Sequence, residues 1–173
     1  MPLREVLQFP DPLLKRVSLP VEKVDDALRQ LAKDMIEVMY DEPGIGLAAP
    51  QVGEAVRLIV LDTEWTEDGN DRNPVVVVNP EIVERSGKIT WTEGCLSVPD
   101  FTADVDRAEQ VELRGTDLDG NPIEETASDL RAVCFQHEID HLDGRLFIDR
   151  ISRLKRSLYV KKRKKALRNE GAG

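Results

Sequence analysis

The apolar positions change their period along the chain, and the changes mark out its elements. Between Asp25 and Tyr40 they fall at Leu28, Leu31, Met35, Val38 and Met39, the spacing of one helical face, with Asp25 placed to cap it. From Asp41 to Gly53 the pattern breaks into glycine, proline and small apolar residues, which predicts a loop. Val56–Leu61 and Val75–Val78 are short unbroken apolar runs between turn signals and predict buried strands. The polar stretch Thr63–Asn73 between them predicts a surface loop. Further extended pieces are expected at Lys88–Trp91, around Cys95–Val98 and at Gln110–Arg114. Asp119-Gly120 then turns the chain into a short strand near Pro122–Glu125.

The helical period returns at Ser128 and runs to about Leu142, with Gly144 as its stop. Leu130, Val133, Cys134, His137 and His141 share one face, while Phe135, Ile139 and Leu142 form a second apolar stripe. A helix apolar on two sides belongs at the centre of a fold, with sheets on both flanks. From Ser152 onward Leu154, Leu158 and Leu167 are spaced among charges, which predicts a final surface helix over about 152–168. Strands grouped ahead of a buried helix indicate the α+β class, with short antiparallel sheets packed around that helix and a C-terminal helix added. A chain of 173 residues suits one core, so residues 1–173 are expected to form a single domain.

Charge adds one feature to this picture. Nine of the 24 basic residues lie between Arg153 and Arg168 with no acid among them, leaving 15 to set against all 33 acidic residues. The chain is thus an acidic body with a basic tail, a pattern associated with polyanionic partners. No run approaches the roughly 20 apolar residues needed to cross a bilayer, so no membrane contact is expected. Met1-Pro2-Leu3-Arg4-Glu5 lacks the apolar run of a secretory signal. Two cysteines make no disulfide framework, so reduced thiols in a cytoplasm-like compartment are the expectation.

The candidate chemistry sits on the second helix. His137-Glu138-Ile139-Asp140-His141 is an H-E-x-x-H sequence, and four residues make about one helical turn, so both imidazoles project from one face toward a shared ion. They are the only histidines in the chain, and an apolar buried face is a costly place for unpaired imidazoles. Glu138 sits one position along, within reach of a water at the ion without being a ligand. Catalytic sites of this kind take three protein ligands, and no third histidine exists. Asp149 and Glu170 are downstream acids outside any third-ligand pattern. Upstream, Glu93-Gly94-Cys95-Leu96-Ser97 offers a thiolate in a short extended segment. Cys134 is the competing thiol; a ligand there would crowd the turn that carries His137, and it reads better as pocket wall or core.

Three segments, in order, resemble the signature motifs of peptide deformylases: Gly44-Ile45-Gly46-Leu47-Ala48-Ala49-Pro50-Gln51, Glu93-Gly94-Cys95-Leu96-Ser97 and Gln136-His137-Glu138-Ile139-Asp140-His141-Leu142. The likeness extends over nearly the whole chain, including the basic C-terminal helix of many bacterial members. It implies a metal-dependent hydrolase that removes the formyl group from the N-terminal formylmethionine of newly made chains in a bacterial cytoplasm. It also implies one divalent ion, typically Fe²⁺ with Zn²⁺, Ni²⁺ or Co²⁺ able to replace it, held by Cys95, His137 and His141. Glu138 would be the general acid–base, with the Gln51 amide and the Leu96 backbone N–H as oxyanion donors. Ile45 and Gly46 would contact substrate, and Leu130, Val133 and Cys134 would line a methionine pocket. Glu93 and Arg107 are candidates for a buried supporting pair. The implied partners are N-formylmethionyl nascent peptides and the ribosome, met through the basic helix. Two positions depart from the common pattern: Pro50 stands where Thr is also frequent, and Thr102 where some relatives have an Arg near the substrate backbone. Two other readings remain at this point: an H-E-x-x-H metallopeptidase cutting internal bonds, and an inactive ribosome-binding homologue.

Overall fold

The computed structural model describes residues 3–66 and 71–172. Its elements run in the order α1 (Asp26–Asp41), β1 (Gly46–Ala48), β2 (Leu58–Leu61), β3 (Val75–Ser86), β4 (Ile89–Cys95), β5 (Val98–Arg107), β6 (Gln110–Thr116), β7 (Pro122–Ser128), α2 (Asp129–Leu142) and α3 (Arg153–Ala172). Antiparallel pairing joins five strands in the order β1-β2-β3-β6-β7, and β4 with β5 forms a separate hairpin. The α+β architecture is the one the apolar pattern predicts.

Strand β2 shows why the layers stack as they do. All four of its residues are buried, and a strand sends alternate side chains to opposite faces. Leu58 and Val60 pack with Leu28, Leu31, Met35 and Met39 of α1. Ile59 and Leu61 pack with Ala132, Phe135, Ile139 and Leu142 of α2. The five-stranded sheet is therefore covered on both faces, which explains its unbroken apolar run. A third cluster joins the β4–β5 hairpin, through Val98, Val105 and Phe101, to Phe147, Ile148 and Tyr159 near the C-terminus.

Helix α1 begins where expected, with the Asp25 carboxylate accepting from the Leu28 N–H at 2.8 Å. Helix α2 ends at Leu142, and Gly144 takes φ +76° where a side chain would meet the Lys15 carbonyl oxygen at 2.3 Å. Only glycine closes that turn without displacing backbone.

Several boundaries differ from the sequence expectation. The loop before Gly53 contains strand β1 and a 3₁₀ turn at Ala49–Val52. Strand β3 continues past Val78 because Asn79, at φ +52°, carries a register irregularity that lets pairing resume at Glu81. The piece around Cys95–Val98 is a turn: Cys95 ends β4, Val98 opens β5, and the two pair with each other. Strand β5 escaped the pattern because its inward positions end on a charged residue, the buried Arg107. The expected loop Thr63–Asn73 falls partly at residues 67–70, outside the described residues.

Helix α3 is longer than expected and is held by a residue the leucine spacing did not mark. Tyr159 is buried against Phe9 and Phe101, and Arg163 donates to the Phe9 carbonyl at 2.9 Å and to Gln8. Leu154 and Leu158, 70% and 60% exposed, face outward.

Candidate metal centre

Two elements supply the centre. On α2, the four-residue step puts His137 Nε2 and His141 Nε2 3.3 Å apart. At the end of β4, where the chain turns into β5, Cys95 Sγ comes to 3.4 Å from His141 Nε2. Among the described residues these three make the one group whose ligand atoms converge in this way, all within 4.8 Å of one another.

The surroundings prepare those atoms for a cation. His137 Nδ1 lies 2.8 Å from the Glu93 carboxylate, to which it donates, and Nε2 is the nitrogen that faces the cluster. Burial works against a charged His137, but the Cys95 thiol and the Glu93 carboxylate outweigh it and raise its pKa well above the ordinary range. His141 is pushed well below, first by burial and then by the neighbouring positive charges of His137 and Arg107. The donor set, one thiol and two imidazoles, suits a divalent first-row metal.

Glu93 is itself fixed. Burial opposes its charge, but Arg107 and His137 hold its pKa below the usual carboxylate range. Arg107 donates Nε to one Glu93 oxygen at 2.8 Å and a terminal nitrogen to the other at 2.9 Å. Its remaining terminal nitrogen reaches Asp140 at 2.6 Å, and Asp140 also receives Arg150. The Glu93–Arg107 pair, a candidate at the level of sequence, is formed and buried here. Its link to His137 was not, although Glu93 stands two residues before Cys95 on one strand and therefore shares its face. Asp140 and Arg150 were missed altogether.

Glu138 is buried beside the centre, with Oε1 3.8 Å from His141 Nε2 and without a hydrogen-bond partner. Burial raises its pKa to about 7. Gly46 makes room for it: a Cβ there would lie 2.7 Å from Glu138 Oε2 and 2.8 Å from Cys134 Sγ. Gln51 is buried too. Its Oε1 accepts from the Ala48 N–H at 3.0 Å, while Nε2 donates to Ser97 Oγ at 3.1 Å and points at Cys95 Sγ, 3.6 Å away.

The centre lies at a cavity of about 650 Å³. Ile45, Gly46, Leu130, Val133 and Cys134 all line it, together with Gln51, Cys95, Leu96, His137 and Glu138. The sequence-derived site residues are thus gathered in one place, with His141 just behind the wall. Trp91, Phe101 and Thr102 of the hairpin also line the cavity; for the two aromatic residues no sequence signal pointed there.

Comparison with known proteins agrees with this geometry. The polypeptide deformylase family model matches residues 3–157. The peptide deformylase of Alkalilimnicola ehrlichii is 51% identical over 168 residues, covering 97% of this chain and 93% of its own. That of Rhodopseudomonas palustris strain BisB5 is 52% identical over 167 residues, covering 96% and 95%. Among solved structures, a peptide deformylase from Legionella pneumophila superposes with a TM-score of 0.89 at 43% identity, covering 99% of each chain. One from Synechococcus elongatus in complex with actinonin gives 0.87 at 40% identity, covering 94% of this chain and 89% of that one.

The support given by Glu93 is open to measurement. Replacing Glu93 with Gln removes the charge that sets the His137 tautomer and pairs with Arg107. Affinity for a divalent ion should fall about 10–100-fold, read by competition with a chromophoric chelator. Unchanged affinity would remove Glu93 from the metal's support.

Proposed function

The chain belongs to the polypeptide deformylase family, and from that premise we propose how its own residues carry out the reaction. It is a metal-dependent hydrolase that removes the formyl group from the N-terminal formylmethionine of newly made proteins. One observation carries the assignment of roles: Cys95 Sγ and the Nε2 atoms of His137 and His141 converge, at spacings of 3.3 and 3.4 Å, beside the Glu138 carboxylate, whose Oε1 has no hydrogen-bond partner.

Cys95, His137 and His141 hold the ion. When bound, it supplies Lewis-acid chemistry, acidifying water and polarising a carbonyl. Glu138 takes the proton of the attacking water and passes it to the departing amine. A carboxyl with a pKa raised to about 7 by burial can do both near neutrality. The Gln51 amide and the Leu96 N–H stabilise the developing oxyanion, where loss of one donor typically costs about 3 kcal/mol. Leu130, Val133 and Cys134 receive the methionine side chain, and Ile45 and Gly46 lie along the peptide. Residues 1–173 work as one catalytic domain in this reading.

Ligand chemistry alone leaves several first-row ions open. We assign Fe²⁺ as the native ion, with Zn²⁺, Ni²⁺ or Co²⁺ able to replace it. The working compartment is the bacterial cytoplasm, where formylated nascent chains occur and where both cysteines, free here, stay reduced. Among the described residues no helix is long and apolar enough to cross a membrane.

The peptidase alternative needs a downstream third ligand, whereas here the third ligand comes from upstream on β4. The inactive alternative needs a damaged set, whereas Cys95, His137, His141, Glu138 and Gln51 stand together. Glu138→Ala should keep its metal and lose hydrolysis of a formyl-Met peptide, while the wild type leaves the acetylated peptide intact. Cleavage of internal bonds by the wild type would favour the peptidase reading, and metal loss in the variant would make Glu138 structural.

A thiolate beside Fe²⁺ is open to oxidation. The anaerobically prepared iron enzyme should therefore lose activity in air over minutes to hours, while the Ni²⁺ form persists. Equal persistence of both forms would count against iron as the native ion.

The second proposal is that α3 docks the enzyme on the ribosome. Its outer face combines exposed Leu154 and Leu158 with Lys161, Lys162, Lys165 and Arg168. On an otherwise acidic body this stripe attracts RNA phosphate, with affinity that falls steeply as salt rises. Reversing Lys161, Lys162 and Lys165 to Glu should abolish co-sedimentation with ribosomes at low salt and leave hydrolysis of a short formyl-Met peptide intact. Undiminished co-sedimentation would end the docking proposal without touching the active site.

A further inference from the structure

The segment Pro43–Gly46 lines the cavity together with the β4–β5 hairpin, and it rests on a brace that no part of the chemistry explains. The Trp65 indole N–H donates to the Gly44 carbonyl at 3.0 Å. The next carbonyl, Ile45, accepts from the Asp62 N–H at 2.8 Å, and the Gly44 N–H is tied to the Met39 carbonyl of α1 at 2.7 Å. Trp65 does not touch the cavity, so its hold is exerted from behind.

The indole is itself held. Tyr40, near the end of α1, meets it edge-on with ring centroids 5.0 Å apart at 86°. The Arg72 guanidinium lies 4.3 Å from the Tyr40 centroid and 5.4 Å from that of Trp65. The Tyr40 hydroxyl donates to Asp62 at 2.5 Å, and the same carboxylate accepts from the Asn73 and Glu64 N–H groups. Asp62 is 2% exposed, so these bonds form away from water. A ring of two aromatics, one cation and one carboxylate therefore fixes a single indole N–H against a single carbonyl.

We propose that Trp65, braced by Tyr40, Asp62 and Arg72, is a positioning residue that sets the backbone of Gly44–Gly46 for peptide binding. Gly44 has no side chain with which to anchor itself, and Gly46 must stay bare to clear Glu138. Two glycines around one residue leave the segment too free to hold a peptide unaided. From outside the cavity the indole adds a hold on the Gly44 carbonyl to the backbone bonds that tie the Gly44 N–H, the Ile45 carbonyl and Gly46. The proposal rests on the deformylase reading only for the identity of the bound peptide.

The test uses the metal-loaded full chain. Trp65→Phe keeps an aromatic ring and removes the N–H. KM for a formyl-Met tripeptide should rise about 3–10-fold with kcat within about twofold and metal content unchanged, the pattern of lost ground-state positioning. Tyr40→Phe removes one oxygen from the brace and should move KM the same way by less. Hydrogen exchange at the amides of residues 44–46 should speed up in both variants, a readout that needs no turnover and so survives failure of the deformylase reading. Unchanged exchange and KM, whatever the melting temperature does, would overturn the proposal. A fall in kcat accompanied by metal loss would overturn it as well, by placing the effect at the metal.

Discussion

The geometry of the centre depends on one buried guanidinium. Arg107 has a side chain 4% exposed and lies between Glu93 and Asp140. Taking such charges out of water costs several kcal/mol each, and their mutual attraction offsets that only when donors and acceptors are matched. Here three of the guanidinium nitrogens are used on two carboxylates, and Asp140 gains a second partner in Arg150. The four residues come from β4, β5, α2 and the turn before α3. The match therefore fixes the hairpin against the helix, and with it Cys95 against His137 and His141. Apolar packing between the same elements would tolerate sliding; two-pronged hydrogen bonds do not. Losing one partner would leave a buried charge uncompensated, at a cost of about 3–5 kcal/mol.

The same ionic chain sets the protonation pattern that the chemistry uses. Arg107 keeps Glu93 ionised, Glu93 accepts a hydrogen bond from His137 Nδ1–H, and His137 Nε2 is left facing Cys95 and His141. Glu138 belongs to no such pair. It is as buried as Glu93, yet its pKa is raised where that of Glu93 is lowered. Two carboxylates about one helix thus do different work because one is matched by a guanidinium and the other is left without a partner for Oε1. The unmatched one is the carboxylate that lies against the cluster of Cys95, His137 and His141.

Much of this was legible in the sequence, and the unread parts share a cause. The helical period placed α1 and α2 within a residue or two, and the spacing of His137 and His141 fixed their common face. Cys95 was singled out by the resemblance and by the absence of a third histidine. Strand β5, Asp140 and Arg150 were not read, because each is a charged or mixed stretch whose burial depends on partners distant in sequence. Local hydrophobicity carries no record of such pairing. The aromatic residues Trp65, Tyr159 and Phe101 were missed for a related reason: each anchors an element through one tertiary contact instead of a repeating pattern. Strand β1 was hidden by its shortness, three residues with Leu47 between Gly46 and Ala48, whose pairing with β2 is what makes them a strand.

The two thiols show how far environment, more than residue type, decides role. Both cysteines are free, and both line the same cavity. Cys134 faces the sheet's apolar cluster, and its sulfur lies 3.7 Å from the Ile45 carbonyl, so the thiol keeps its proton and donates it. Burial raises its pKa well above the ordinary value, and the nearby Glu138 charge raises it further. A thiolate there would face the Glu138 carboxylate. Cys95 instead has the Gln51 amide 3.6 Å and His141 Nε2 3.4 Å from its sulfur, and shares the cluster with both imidazoles. A ligand at the helix position of Cys134, three residues before His137, would also crowd the turn that carries that residue. Its neighbours forbid it, and the wall that a protonated thiol makes is the one an unbranched apolar side chain can pack against.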